Sequence, residues 1–353
     1  MTATLSLSEL TETCGVSGDE SRVRRLISRA IAPLCDELFT DSMGNLIAVK
    51  GKDKPGPRLL LAAHMDEVGF IISGYHSSGL LYFKKVGSID DSVLLGKHVW
   101  VGPRRLPGVI GGKPIHLLKK ESERQRQPEA DELYIDIGAK DKAAASQAVE
   151  LGEYATFATR FSEFGPGLIK GKALDDRVGC RLLVDLLECD FPFPLYAAFT
   201  VQEEVGLRGA QIVAHRVQPD VALVLEGTTS AEKPDGKEHV VSTRLGRGPA
   251  ISFMDRSTIG SRPLIRHLIA TAEKYHIPYQ IKEVVAGGTD AGSIHLSRAG
   301  VHTAVVSIPC RYIHAPAAVA SRADIAHGRE LLAKALGELP LVVSEGGDPI
   351  WSN

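Results

Sequence analysis

The segment from Leu59 to Asp66, with the sequence LLLAAHMD, is the stretch that decides the fold. Five apolar residues in a row are typical of a strand that is buried on both faces of a sheet. His64 and Asp66 follow this run, and residues two apart on an extended chain point to the same side. Both side chains can therefore reach one site, although a surface turn after the strand is the alternative explanation for this pair alone.

Four further segments place a chelating side chain at or just after the end of an apolar, strand-like run. These side chains are Asp175 with Asp176, Glu203 with Glu204, Glu226, and His314. The carboxyl ends of parallel strands meet at one edge of an open α/β sheet, so residues far apart in sequence can converge there. Histidines combined with carboxylates suit one or two ions of Zn²⁺, Co²⁺ or Mn²⁺. The pattern therefore predicts a metallohydrolase.

Each acidic pair also has a purely structural alternative. Asp175 and Asp176 precede an amphipathic helix and could cap its N-terminus, where negative charge is favourable. Glu203 and Glu204 could lie at a solvated loop tip. Adjacent residues on a regular strand face opposite ways, so both glutamates can face one site only if the chain turns there, as Gly206 indicates.

Composition excludes several classes of function. With 353 residues and 44% hydrophobic content, the chain can bury a large core in two domains or in one domain with an insertion. The 41 basic and 43 acidic residues give a net charge of −2, which favours neither nucleic acid nor an anionic membrane as a partner. The five cysteines lack CxxC spacing and are expected to be reduced thiols. No signal peptide or long apolar run is evident, so we expect a cytoplasmic protein.

The order of elements predicts an α/β fold with a mostly parallel, helix-covered sheet and an inserted small β-rich domain. Short strand-like pieces broken by Gly and Pro occupy residues 69–161. Longer helical and strand segments occupy residues 1–68 and 162–353, and we assign the catalytic metallopeptidase domain to these two segments.

Three local features are also predicted. A helix is expected over residues 17–32, starting with a capping box formed by Ser17 and Glu20. A strand is expected over residues 280–285, and a solvated loop over the polar tract 119–127.

With its candidate residues in this order, the chain resembles the M42 family of dinuclear metallo-aminopeptidases. This is the glutamyl- and deblocking-aminopeptidase group, whose large self-compartmentalising members are called TET. The resemblance covers almost the full length. It runs through the motifs AHMDEVGF at 63–70, ALDDR at 173–177, QEEVG at 202–206, GGTDA at 287–291 and IPCRYIH at 308–314.

The resemblance implies five metal ligands, a general base and an orienting carboxylate. The ligands are His64 and Glu226 on one ion, Glu204 and His314 on the other, and Asp175 as the bridge between them. Glu203 matches the general base that activates a water held between the ions, and Asp66 matches the residue that orients His64. A cis peptide bond between Asp175 and Asp176 is also implied.

The family further implies an aminopeptidase that removes N-terminal residues from short peptides. It would use two divalent metal ions per subunit, with Zn or Co expected first and Mn next. The inserted domain corresponds to the family's dimerisation domain, so the homo-oligomer is expected to range from a dimer to a tetrahedral dodecamer. Tyr312 and residues 287–290 are expected to line the site, and Thr289 or Asp290 could equally cap a strand-to-helix turn.

Two positions depart from the family pattern, and two other functions stay open. Glu226 stands where many relatives have aspartate, which leaves the activity class less defined than metal binding. Cys310 stands where residues such as threonine occur, and we expect it to pack in the core. Some relatives are labelled endoglucanases, so a metal-independent glycoside hydrolase is one alternative, although that chemistry needs two facing carboxyls and no histidine pair. A catalytically inactive scaffold is the other.

Overall fold

The computed structural model describes residues 5–117, 126–232 and 242–339. Most of the loop predicted over residues 119–127 lies outside these described residues. Within them, a large helix-covered sheet and a small closed barrel account for the chain, so the predicted α/β fold with a β-rich insertion is confirmed.

The described residues contain eight α-helices and seventeen strands. The helices are α1 Leu7–Glu12, α2 Ser21–Ile31, α3 Lys142–Ala148, α4 Leu174–Leu187, α5 Arg208–Val217, α6 Arg262–Lys274, α7 Ala291–Ile294 and α8 Arg322–Gly337. The strands are β1 Glu37–Thr40, β2 Leu46–Lys50, β3 Leu59–His64, β4 Gly69–Tyr75, β5 Leu81–Val86, β6 His98–Val101, β7 Leu106–Gly111, β8 Tyr134–Asp136, β9 Tyr154–Phe157, β10 Ser162–Phe164, β11 Leu168–Gly171, β12 Leu195–Thr200, β13 Val221–Thr229, β14 Ala250–Ser252, β15 Gln280–Ile281, β16 His302–Arg311 and β17 Ala318–Ser321. Short 3₁₀ helices span Ala32–Leu34, Asp91–Val93, Ile115–Leu117 and Ala130–Glu132.

The large sheet has eleven strands and is mixed. Nine follow the order β1-β2-β12-β3-β13-β16-β17-β11-β10, and β14 and β15 are attached beside β16. The middle strands β12, β3, β13 and β16 are parallel. The pairs at both margins, such as β1 with β2 and β10 with β11, are antiparallel because short turns join them. Most of the candidate residues lie at or shortly after the carboxyl ends of these parallel strands.

Helices cover both faces of the sheet, which explains the uninterrupted apolar run in β3. Leu59, Leu61 and Ala63 point into the larger core, which also receives α2, α4, α6 and α8. Leu60 and Ala62 point into a second core on the opposite face, packed by α5 and α7. Successive residues of a strand face opposite sides, so each of these strands must be apolar throughout.

The β-rich insertion is a closed barrel in the order β4-β5-β8-β7-β6-β9. It has a core of its own, in which Phe70 packs edge-on against Phe83 and Phe157 with ring centroids 5.1 and 5.3 Å apart. The chain enters it at Gly69, three residues after Asp66, and β9 leaves it at Phe157. The barrel is therefore one continuous insertion next to the first candidate residues.

Two of the local predictions need correction. The predicted capping box is wrong: α2 begins at Ser21, its N-cap is Glu20, and no side chain caps it. Ser17 and Glu20 instead make contacts outside the helix. The strand expected over residues 280–285 is only Gln280–Ile281, because within the described residues β15 is an edge strand that pairs with the three-residue strand β14 alone.

Two predictions from composition can also be compared with the structure. All five cysteines are free thiols, which confirms that they form no disulfide framework within the chain. Among the helices of the described residues, none combines the length and the apolar character needed to cross a membrane.

Candidate metal centre

Most of the candidate residues gather at the carboxyl edge of the parallel strands. His64 is the last residue of β3, and the turn that carries Glu203 and Glu204 follows the end of β12. His314 lies shortly after β16, and Asp175 lies at the start of α4, which follows β11. This edge brings together residues separated by up to 250 positions in the sequence.

Glu226 reaches the same place from within a strand rather than from its end. β13 stays paired with β16 as far as Thr229 opposite Cys310, so the strand does not stop at Glu226 as its apolar run suggested. Cys310 is fully buried in the larger core, which confirms its packing role. Glu226 is 4% exposed and faces the other candidate ligands.

Asp175 lies between the two histidines. Its Oδ1 is 3.5 Å from His64 Nε2, and its Oδ2 is 3.7 Å from His314 Nε2. On the His64 side, Glu226 Oε2 is 3.6 Å from the same imidazole nitrogen. On the His314 side, Glu204 Oε2 is 3.3 Å from Nε2. Each histidine thus faces one oxygen of Asp175 and one glutamate.

The chemistry of this donor set fits divalent cations. His64 Nδ1, Asp175 Oδ1 and Glu226 Oε1 are buried and have no hydrogen-bond partner in the protein. Burial and neighbouring carboxylates raise the pKa of Glu204 and Glu226 well above the usual value for a glutamate. Clustered buried carboxylates are unfavourable without positive charge, and bound cations supply it.

Three groups of side chains bring one donor atom each close enough together to share an ion. They are His64 with Asp176 and Glu226, His64 with Glu203 and Glu204, and Asp175 with Glu204 and His314. The predicted ligands all occur in this set. The groups also contain Glu203, predicted as the general base, and Asp176, whose carboxylate already accepts hydrogen bonds from the backbone N–H groups of His64 and Gly179.

Glu203 lies beside the predicted ligands, with Oε2 4.0 Å from His64 Nε2. Burial, together with the charges of Asp290, Asp66 and Asp175, raises its pKa to about 8, and His64 counteracts part of this shift. A carboxylate with a pKa near neutrality can both take up and return a proton.

Asp66 is completely buried and holds the turn that carries the two glutamates. It accepts hydrogen bonds from the backbone N–H groups of Glu203 at 3.0 Å and Glu204 at 3.1 Å, and from Ser17 Oγ at 2.6 Å. Its Oδ1 is also 3.4 Å from His64 Nδ1, although the two atoms are not in hydrogen-bonding geometry.

Backbone strain is concentrated around the site. Among the described residues, nine other than glycine have a positive φ, and four of them neighbour or belong to the candidate set. These are Ala173 at 52°, Gln202 at 56°, Tyr312 at 61° and His314 at 58°. Such conformations cost about 1–3 kcal/mol each and persist where the surroundings enforce them. The peptide bond between Asp175 and Asp176 is cis, as the resemblance implied.

Sequence reasoning missed a second buried cluster next to the site. Glu67 Oε1 lies 2.6 Å from Lys172 Nζ and 3.6 Å from Arg177 Nη2, and all three side chains are nearly inaccessible. Glu67 lies within the motif AHMDEVGF, Arg177 ends the motif ALDDR and Lys172 directly precedes it, but nothing in the local sequence indicates that they meet. Asp290, expected near the site, is buried and accepts a hydrogen bond from Thr200 Oγ1, and Tyr312 is 64% exposed.

An edge that gathers two histidines and several buried carboxylates around Asp175 is typical of a metal-dependent hydrolase. The chain belongs to the M42 peptidase family: the family model described as M42 glutamyl aminopeptidase matches residues 44–331. It is accordingly an enzyme that hydrolyses peptide bonds.

Relatives from three organisms span nearly the whole chain. A putative aminopeptidase of Acetivibrio thermocellus is 37% identical over 94% of this chain and 97% of its own length. The glutamyl aminopeptidase of Lactococcus lactis is 31% identical, with 86% and 87% covered. The lysyl aminopeptidase of Pyrococcus furiosus is 29% identical, with 94% and 96% covered.

Solved structures agree in fold. A TET aminopeptidase from a marine sediment archaeon of the Thaumarchaeota superposes with a TM-score of 0.91 at 37% identity, covering 94% of this chain and 95% of that one. The TET1 peptidase of Pyrococcus horikoshii, described as assembling into a tetrahedron or a large octahedral shell, gives 0.85 at 35% identity, with 94% and 98% covered. A Thermotoga maritima protein titled endoglucanase gives 0.79 at 36% identity, with 95% and 97% covered.

Proposed function

We propose that this protein is an aminopeptidase that removes N-terminal residues from short peptides with two divalent metal ions per subunit. One observation carries the proposal: the two carboxylate oxygens of Asp175 face one histidine each, at 3.5 and 3.7 Å. A carboxylate in this position can be shared between two ions. Bound divalent cations lower the pKa of water and polarise a carbonyl group, which is the chemistry of peptide hydrolysis.

We assign the ligands by these distances. Asp175 would be shared, His64 and Glu226 would hold one ion, and Glu204 and His314 the other. Nitrogen and carboxylate donors suit Zn²⁺ or Co²⁺, with Mn²⁺ next. Glu226 has one more methylene than the aspartate common in relatives, so its carboxylate can reach an ion that lies farther from its own backbone.

Glu203 would act as general base and then as general acid. It would take a proton from the attacking water and return it to the leaving amine, and its carboxylate lies beside the predicted ligands, with Oε2 4.0 Å from His64 Nε2. Asp66 would support it by holding the backbone of Glu203 and Glu204, in addition to orienting His64.

The assembly and the compartment belong to the same proposal. The barrel over residues 69–161 would form the dimer contact, and dimers could build up to a tetrahedral dodecamer. Apolar side chains exposed on the barrel support its role in the dimer contact: Tyr82 is 44% exposed, Leu95 51% and Val109 42%. Five unpaired cysteines support a cytoplasmic location, where thiols stay reduced.

The test combines a substrate panel with one substitution. Aminoacyl-p-nitroanilides are assayed with Zn²⁺, Co²⁺ and Mn²⁺ in parallel, and Glu203→Gln is compared with Glu163→Gln, which changes an exposed glutamate of β10. We expect Glu203→Gln to lower kcat about 10²–10⁴-fold with both ions bound, and the control to match the wild type. Near-full activity of Glu203→Gln with its ions in place would contradict the mechanism. Cellulose cleavage that survives chelation would instead support the glycosidase alternative.

A further inference from the structure

We propose that Ser17 and Glu20 are positioning residues for Glu203 and Glu204. They act on the glutamate turn, which we define as residues 201–204. The inference rests on the proposed function, in which Glu203 is the general base and Glu204 is a metal ligand. It accounts for two side chains whose spacing suggested a capping box that the structure does not contain.

The glutamate turn is held by side chains from distant segments rather than by a neighbouring strand. Four consecutive backbone N–H groups each donate to a side chain at 3.0–3.2 Å. The acceptors are Asn45 Oδ1 for Val201, Glu20 Oε1 for Gln202, and Asp66 Oδ1 and Oδ2 for Glu203 and Glu204. Gln202 has a φ of 56°, an unfavourable conformation for a residue with a side chain. The acceptors therefore determine where the two glutamates point.

Glu20 connects its own segment to the glutamate turn through one carboxylate oxygen. It is the N-cap residue of α2, yet its side chain makes no capping hydrogen bond. It is 4% exposed, and Oε1 accepts from the N–H groups of Gly18 at 2.7 Å and Gln202 at 3.2 Å. Burying a carboxylate is costly unless it is hydrogen-bonded, and one of these bonds ends on the glutamate turn.

Ser17 acts one step further from the turn. Its hydroxyl donates to Asp66 Oδ2 at 2.6 Å, the same oxygen that accepts from the N–H of Glu204. Ser17 is itself held in place because its N–H donates to the Glu67 carbonyl at 3.3 Å and Val16 forms a parallel bridge with Glu67. The segment 15–20 thus connects the end of β3 to the glutamate turn.

The experiment compares Glu20→Ala with Glu20→Gln, whose amide oxygen can still accept both N–H groups. The matched control is Asp324→Ala, because Asp324 is an equally buried carboxylate that accepts the N–H groups of Gly246 and Gly248. We expect Glu20→Ala to lower kcat about 10- to 100-fold with KM and metal content near the wild-type values. Glu20→Gln should keep most of the activity, and the control should lose stability but not kcat.

Ser17→Ala is the second variant, so that the inference stays testable if Glu20→Ala does not fold. It removes one hydrogen bond and should lower kcat about two- to tenfold. Unchanged kcat in Ser17→Ala or in Glu20→Ala would overturn the inference, as would equal losses in Glu20→Ala and Asp324→Ala.

A readout without metal separates this inference from the proposed function. Hydrogen exchange of the peptide covering residues 200–206 is followed in the metal-free protein. Exchange should be faster in Glu20→Ala than in the wild type, and unchanged in Glu20→Gln and Asp324→Ala. A wild type without peptidase activity would contradict the proposed function alone, whereas unchanged exchange in Glu20→Ala would contradict the positioning role alone.

Discussion

Two buried groups of charged side chains lie side by side in this protein, and they differ in where the neutralising positive charge comes from. In the cluster of Glu67, Lys172 and Arg177, the protein supplies the cations itself. At the metal centre around Asp175, buried donor atoms are left without a partner in the protein. Glu67 lies three residues after His64, and Lys172 three residues before Asp175, so the two groups come from the same stretches of chain.

In the cluster around Glu67 the carboxylate is fully hydrogen-bonded, although Arg177 Nη2, 3.6 Å from Glu67 Oε1, has no hydrogen-bond partner. Both carboxylate oxygens contact Lys172 Nζ, at 2.6 and 2.7 Å, and they also accept from the N–H of Gly15 at 3.0 Å and from Thr156 Oγ1 at 2.9 Å. Thr156 belongs to the barrel, so this cluster joins the barrel to the sheet. Burial lowers the pKa of Lys172, and the charge of Glu67 opposes that shift.

The comparison shows that burial alone does not distinguish a structural ion cluster from a functional one. What differs is whether the side chains neutralise one another. The charges of the Glu67 cluster neutralise one another within the chain, and Thr156 connects the cluster to the barrel, whereas the carboxylates around Asp175 outnumber the cationic side chains near them. The following predictions test this difference, from the largest expected effect to the smallest.

Asp175→Asn should have the largest effect, because it weakens the ligand between the two histidines while keeping its shape. We expect peptidase activity to fall by at least about a thousandfold and the bound metal to decrease, since a catalytic ion contributes several kcal/mol to transition-state stabilisation. Metal analysis and kinetics at saturating Zn²⁺ or Co²⁺ measure both effects. Full activity with two bound ions would show that Asp175 is not the shared ligand.

Lys172→Met should destabilise the fold rather than remove metal. It leaves Glu67 buried with only the more distant Arg177 as a cationic partner, and breaking such a pair costs about 3–5 kcal/mol. Urea unfolding of the metal-free protein measures the loss. The double variant with Glu67→Gln is the control and should recover part of the stability, because it removes the uncompensated charge. No loss in the single variant would contradict the structural role.

Metal removal should make stability depend on pH. The pKa of Glu203 rises from 4.5 to about 8 in the metal-free fold, so the folded state holds a proton that the unfolded state releases. Stability of the metal-free protein should therefore fall as pH rises from about 4.5 to about 8, by up to about 1.4 kcal/mol per pH unit for each such group.

Added metal should oppose this loss. An ion at a hundred times its Kd stabilises the fold by about 2.7 kcal/mol. Thermal melts across this pH range, with and without metal, measure both effects. Glu203→Gln should flatten part of the metal-free slope, and an identical slope in that variant would show that Glu203 does not cause it.

Thr156→Val should have the smallest effect. It removes one of several hydrogen bonds to Glu67, which Lys172 still neutralises, so we expect a loss of about 1 kcal/mol. Thr271→Val is the control, because that buried hydroxyl donates only to the carbonyl of His267 within its own helix. Denaturant unfolding compares the two, and a larger loss in the control would argue against a special role for the contact between barrel and sheet.

The candidate ligands could be predicted from the sequence because each lies at or near the end of an apolar run. His64 and Glu226 each follow such a run directly, and the carboxyl edge of the sheet then brings the candidate residues together. The cluster around Glu67 could not be predicted in the same way, since Lys172 and Glu67 are 105 residues apart and only the packed barrel and sheet bring them together. The spacing of Ser17 and Glu20 likewise predicts a capping box. Nothing in the local sequence shows that these two side chains instead contact Asp66 and the glutamate turn.

The middle strands of the sheet could be predicted from the sequence as well as the candidate ligands could, but the strands at its margins could not. The parallel middle follows from long apolar runs such as β3, whereas β15 is two residues long because, in the described part of the chain, this edge strand pairs only with the short strand β14. Edge pairing depends on what lies alongside, and a local pattern does not contain that information.

The wide spacing of the candidate donors along the chain also sets the order in which they appear during protein synthesis. A ribosome completes His64, Asp175 and Glu226 before it reaches His314, which lies 88 residues after Glu226. The N-terminal half of the translated chain therefore carries His64 and Asp175 without the second histidine. The full set of candidate donors exists only after the last parallel strand has been synthesised, whereas all residues of the barrel precede Glu226 and His314.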